Sequence, residues 1–294
     1  MTVPAEPGNV TAPTKGDIVH EQVGAVPAGQ AGRKLSWQWF LVVVVVYLGV
    51  IQGLGALVGV DTGDSDSPFP TTESIVRNAL IPIGASIVFV AAVVTWLGWW
   101  GEVLRYRAPV RRWVRWVPIS MLAVALIGMN YGHLADQSLS LVASLLVLGV
   151  FVGLGEELMF RGIGVHVFRR AGFTEGKVAL YSSLVFGLAH VSNAFGEGAQ
   201  ALVQALIVST SGYFFYLCLR VGGVILLPML VHGLWDTGLF SNLVGDTPQA
   251  SVRTVLFIVL QVALIVVLLV KRRTVEPAAP MTAAADPAPL PPAN

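Results

Sequence analysis

Long apolar runs alternate with short polar segments along the 294-residue chain. A helix needs about 20 mostly apolar residues to cross the hydrocarbon core of a bilayer. Eight stretches approach or exceed that length: Ser36–Val60, Ile75–Trp100, Trp116–Leu134, Leu139–Gly164, Val178–Phe195, Ala199–Leu219, Val224–Val244 and Val252–Val270. Backbone groups in lipid must pair within the segment, so each run is expected to be helical. The expected fold class is all-α: a polytopic transmembrane helix bundle of about eight spans over residues 35–273. Residues 1–34 are rich in Gly, Pro and Ala without an apolar core, and read as a disordered tail, not a cleaved signal. The Pro/Ala-rich stretch 274–294 reads the same way.

The polar segments add orientation. Arg33 and Lys34; Arg105, Arg107, Arg111, Arg112 and Arg115; Arg169, Arg170 and Lys177; Arg220; and Lys271, Arg272 and Arg273 fall in alternate connections. The other connections and span ends hold mainly Asp61, Asp64, Asp66, Glu73, Asp136, Glu197 and Asp246, with Arg77 and Arg253 as exceptions. Positive charge concentrates on the cytoplasmic side of membrane proteins, which predicts eight spans with both termini cytoplasmic. Composition agrees: 55% of residues are hydrophobic and 12% charged, against about 25% charged in a soluble domain. The formal net charge of +1 gives no sign of a nucleic-acid partner. A single cysteine, Cys218, excludes an internal disulfide and a zinc-thiolate cluster, and its apolar setting marks it as a packing residue.

Charged groups inside a span cost several kcal/mol and usually mark a site or a pathway. The fourth stretch carries Gly155-Glu156-Glu157-Leu158-Met159-Phe160-Arg161-Gly162. Glu157 and Arg161 are four residues apart and share a helix face, which allows an ion pair. Glu156 is rotated about 100° from its neighbour, so it points elsewhere. One carboxylate is then structural and the other free for chemistry, unless both are solvated at the interface beside Arg169 and Arg170. The fifth stretch has Phe186 and His190 on one face, and the seventh has His232 and Asp236 on one face. A lone histidine in an apolar helix is more often a hydrogen-bonded core residue than a ligand. Glu156, His190, His232 and Asp236 on three helices are instead the set a water-activating site requires, and nearby glycines permit close helix approach. Asn130, His133, Asn193, Gln200 and Gln204 read as packing or interface groups, with Asn193 the one that could instead line the site, and His166, beside a basic turn, reads as solvated.

The order Glu-Glu-x-x-x-Arg, Phe-x-x-x-His and His-x-x-x-Asp/Asn resembles the CAAX prenyl protease type II and bacteriocin-processing family of intramembrane endopeptidases. The resemblance covers Leu139 to Phe240, so residues 139–240 are the expected catalytic core. It implies that Glu156 is the general base that activates a water and that His190 helps hold that water. It implies further that His232 and Asp236 stabilise the oxyanion, and that Glu157, Arg161 and Phe186 support the glutamate-bearing helix. Eukaryotic relatives typically carry Asn where this chain has Asp236. An ionised Asp cannot donate to an oxyanion, so it is protonated, orients His232, or ligates a metal.

Two histidines and a carboxylate are also a catalytic zinc set; a zinc ion, if present, would be held by Glu156, His190 and His232. The His-Glu-x-x-His helix of zincins is absent, which favours a metal-independent glutamate–histidine mechanism. The expected partners are the lipid bilayer and a membrane-embedded or lipid-anchored protein or peptide substrate, prenylated or not; the expected location is a bacterial plasma membrane. Two other classes stay open: a non-catalytic membrane protein that binds a partner, as in bacteriocin self-immunity, and an ion-coupled transporter. The lack of an internal repeat counts against the transporter.

Overall fold

The computed structural model describes residues 32–63, 65–193, 200–249 and 252–276, with the backbone alone at Gln200 and Ala201. Most of both expected tails, together with Asp64, Phe195, Glu197 and Ala199, lies outside the described residues. Eight helices of 13 residues or more are present among the described residues: α1 (Trp37–Val58), α2 (Thr72–Leu97), α3 (Trp116–Gly128), α4 (Leu139–Arg170), α5 (Glu175–Ala189), α6 (Gln200–Gly222), α7 (Leu226–Phe240) and α8 (Val252–Lys271). One grew from each predicted apolar stretch. Local signals set the ends: Ser36 accepts from Trp39 N to start α1, and Thr71 and Ser74 cap each other's backbone to start α2.

Five of these helices, α1, α2, α4, α6 and α8, are long and apolar enough to cross a membrane, and the chain is a multi-pass integral membrane protein. The other three have 13, 15 and 15 residues, about 20–22 Å at 1.5 Å per residue, so they fall short of the expected full spans. The causes are local. Met129 is extended, and Asn130 Oδ1 accepts from His133 N to start a separate short helix, Tyr131–Ala135. A tighter turn, His190–Asn193, closes α5. Gly223, at φ 66°, delays the start of α7.

The connections are stitched into two ends. At one, Arg33 N donates to Leu97 O, Tyr106 N to Gly223 O and Arg111 N to Val275 O. Arg220, almost fully buried, donates to Ala108 O, Pro109 O and both carboxylate oxygens of Glu276. Tyr106 and Tyr216 both donate to Glu175 Oε2, and burial pushes the Tyr106 phenol above its ordinary range. At the other end, Gly245 N donates to Phe69 O, His133 Nε2 lies 2.7 Å from Val244 O and Arg253 donates to Asn130 Oδ1.

Glycines set the closest approach. In α4, Gly149 and Gly153 lie one turn apart against Gly233 of α7. A Cβ on Gly233 would stand 2.6 Å from Gly149 O, and one on Gly153 would run into Met229 O. The small-xxx-small spacing lets two backbones touch where membrane helices have no hydrophobic driving force to join them. Gly187 of α5 meets Ala205 O and Ser209 of α6 in the same way. These contacts bring α4, α5, α6 and α7 around one region.

Candidate active site

Glu156 and Glu157 sit at the end of the regular part of α4, where the helix widens to a π turn over Leu158–Gly164. Such turns recur at functional sites because they rotate side chains out of α register. Glu157 and Arg161 are both fully buried, and the guanidinium donates to Glu157 Oε1 at 2.9 Å. Arg161 also donates to Gly212 O of α6 at 2.9 Å and lies 4.1 Å from the centre of the Phe186 ring. A cation so far from water needs all these partners.

His232 joins this group from α7. Its Nδ1 is 2.8 Å from Glu157 Oε1; a carboxylate only accepts, so Nδ1 carries the proton. The ring is stacked on Phe215 at 4.2 Å and edge-on to Phe186 at 5.8 Å. The remaining nitrogen, Nε2, stands 3.8 Å from Glu156 Oε2 and 3.6 Å from Asp236 Oδ2. Both gaps exceed a direct hydrogen bond and fit a bridging group.

His190 sits in the turn that ends α5, not within the helix as the apolar run suggested. Its Nδ1 lies 3.0 Å from Phe186 O. A carbonyl cannot donate, so a neutral His190 has Nε2 as an acceptor. The Phe186 ring is edge-on to His190 at 5.0 Å and to Phe160 at 5.1 Å. One aromatic side chain thus packs against the guanidinium and both histidines.

Glu156, His190, His232 and Asp236 line one cavity of about 1220 Å³. Most of its wall is apolar, drawn from α1, α2, α4, α6, α7 and α8. Glu156 Oε2 is buried and has no hydrogen-bond partner in the protein. Among the described residues no group of three or more His, Cys, Asp or Glu side chains is placed to hold a metal ion. The expected zinc set Glu156, His190 and His232 is not among such groups.

Several residues depart from the sequence reading or escaped it. His166 is buried, not solvated: its Nδ1 lies 2.7 Å from Gly162 O and its ring packs edge-on to Tyr106. The arginines of the basic turn beyond it pair elsewhere, Arg170 with Glu102 and Arg169 with Glu175. Asn193 and Gln204 line the cavity, hydrogen-bonded to each other at 2.9 Å, and Gln52 of α1 donates to Ser192. Tyr47 and Gln52 of α1, each set in a run of Val, Leu, Ile and Gly, line the cavity as well. Phe215, which stacks on His232, carried no signal beyond a common apolar residue.

Residues 137–238 match the family model described as type II CAAX prenyl endopeptidase Rce1-like. The matched segment holds Glu156, Glu157, Arg161, Phe186, His190, His232 and Asp236, and the family supports a CAAX-type membrane protease. Searches of curated proteins and of solved structures return no match.

Proposed function

We propose that this chain is an intramembrane endopeptidase that cleaves a peptide bond of a membrane-embedded or lipid-anchored substrate with a water activated by Glu156. The observation that carries the reading is the unpartnered Glu156 Oε2, buried in the wall of a cavity shared with two imidazoles and a second carboxylate. An ionised carboxylate left without a donor in an apolar wall is costly, and a water bound there removes part of that cost. Glu156 takes one proton of this water, and the remaining O–H donates a hydrogen bond to His190 Nε2, which aims the attacking lone pair.

In its doubly protonated form His232 donates from Nδ1 to Glu157 and from Nε2 to the oxygen of the scissile carbonyl as it gains charge. Preset donors of this kind typically contribute about 3 kcal/mol each. Asp236, 3.6 Å from Nε2, keeps the imidazole turned toward the cavity; as a carboxylate it accepts and does not itself bind the oxyanion. The Glu157–Arg161 pair, tied to α6 through Gly212 O, holds the ring from behind. Glu156 then passes its proton to the leaving amine. The apolar cavity wall suits a prenyl chain or an apolar peptide segment.

The test is cleavage of an internally quenched peptide carrying an S-farnesyl cysteine, and of membrane proteins compared by proteomics, with the purified chain and its Glu156→Gln variant in liposomes. Glu156→Gln is expected to abolish cleavage while expression and folding persist. Equal cleavage by both proteins would remove Glu156 from catalysis.

A further inference from the structure

The first helix, outside the segment that matches the family, contributes an unassigned group to the site. Tyr47 of α1 is 2% exposed, and its side chain lines the same cavity as Glu156 and His232. A Cβ on Gly155, the residue before Glu156, would lie 3.8 Å from Tyr47 Oη, so the hydroxyl reaches the glutamate-bearing turn of α4. The ring is explained by packing: it meets Phe160 edge-on at 6.2 Å within the main core. The hydroxyl is not. It is buried without a hydrogen-bond partner, and the neighbouring Ser86 hydroxyl donates to Ile83 O instead. A phenylalanine would fill the same space without leaving a buried polar atom unsatisfied, which folding penalises.

Two buried orphans, Tyr47 Oη and Glu156 Oε2, thus face one cavity. They do not bond to each other; the Ser86 hydroxyl beside the phenol donates to Ile83 O, and Glu156 Oε2 has no donor, so the cavity is where each can gain a partner. The charge inventory of the site indicates which partner suits the phenol. Glu156, Glu157 and Asp236 are acceptors when ionised, and Arg161 is committed to Glu157 and Gly212 O. His232 Nε2 is then a donor set between Glu156 and Asp236. A carbonyl oxygen turning into an oxyanion has lone pairs for more than one donor, and a neutral hydroxyl meets it without adding charge.

We infer that Tyr47 is a further catalytic residue, whose hydroxyl donates a hydrogen bond to the oxygen of the scissile carbonyl alongside His232. The inference rests on the proteolytic reading of the cavity. No bond to Tyr47 forms or breaks: the phenol keeps its proton, and its hydrogen bond shortens as the carbonyl oxygen gains charge and relaxes when the tetrahedral intermediate collapses.

The experiment compares the full chain, Tyr47→Phe and Glu156→Gln in liposomes on the quenched S-farnesyl-cysteine peptide, with Tm measured for each. Tyr47→Phe is expected to lower kcat by about 10²–10³-fold, the usual cost of one oxyanion donor, with KM nearly unchanged. Its Tm should be equal to or above that of the parent chain, because an unsatisfied hydroxyl has been removed. Unchanged kcat in Tyr47→Phe, with Glu156→Gln inactive, overturns the role of Tyr47 and leaves the protease standing. Loss of activity together with a lower Tm reassigns Tyr47 to packing, and a loss confined to KM reassigns it to substrate binding. A parent chain no faster than Glu156→Gln overturns the proteolytic reading and the inference with it.

Discussion

Arg161→Met tests how much of the site's order resides in one buried pair. Arg161 and Glu157 are each 0% exposed at their side chains, so water cannot replace either partner. Removing one member of such a pair costs about 3–5 kcal/mol, because the other charge stays behind. Here the carboxylate left behind already has one oxygen without a donor, and Gly212 O loses its bond as well. A value near 4 kcal/mol, at about 2–4 °C per kcal/mol for a domain of this size, lowers Tm by about 8–16 °C. The double variant Arg161→Met/Glu157→Gln removes the stranded charge while the amide oxygen still accepts from His232 Nδ1. It should recover about 1–3 kcal/mol of the loss, the coupling expected for groups in contact. The assay is thermal unfolding in detergent, followed by intrinsic fluorescence. A single variant within about 2 °C of the parent, or a double variant no more stable than the single one, would refute the reasoning.

Two further outcomes follow from the geometry. Asp236→Asn should keep kcat on the quenched peptide within about tenfold, because an amide still orients His232 and adds a donor, whereas Asp236→Ala should lose about 10²-fold; equal activity of both would show that position 236 does not touch the chemistry. Glu276→Gln should lower Tm by more than substitution of the exposed Glu73, since Glu276 neutralises the buried Arg220 through two bonds while Glu73 pairs with a half-exposed Arg77. Equal shifts in differential scanning fluorimetry would place Arg220 outside the structural core.

Hydropathy carried the fold because each apolar run had one way to satisfy its backbone in lipid. What it could not carry was where a run stops being one helix. Met129–Asn130 breaks the third run through a side-chain cap, and the fifth tightens into a short turn at His190; such local features leave no mark on an average over 20 residues. The candidate site residues stood out for the reason that they are costly: Glu156, Glu157, His190, His232 and Asp236 are polar groups in otherwise apolar stretches. Tyr47 and Phe215 are apolar enough to belong anywhere, and their roles depend on which helix happens to lie opposite. His166 misled because nearness to arginines along the chain says nothing about the Tyr106 ring that covers it.

The seam between α4 and α7 works as a mechanical stop. Side chains that line a cavity swing between rotamers when a ligand pushes on them, but two backbones already in contact cannot move closer. They also cannot separate without giving up dispersion contacts along a whole turn. The gap of 3.8 Å between Glu156 and His232 is therefore set by backbone contact and not by rotamers, and under the proposed reading a peptide substrate adapts to it. Scanning with alanine, which subtracts atoms almost everywhere, inserts a wedge at Gly149, Gly153 and Gly233, so there the usual experiment in deletion becomes one in spacing.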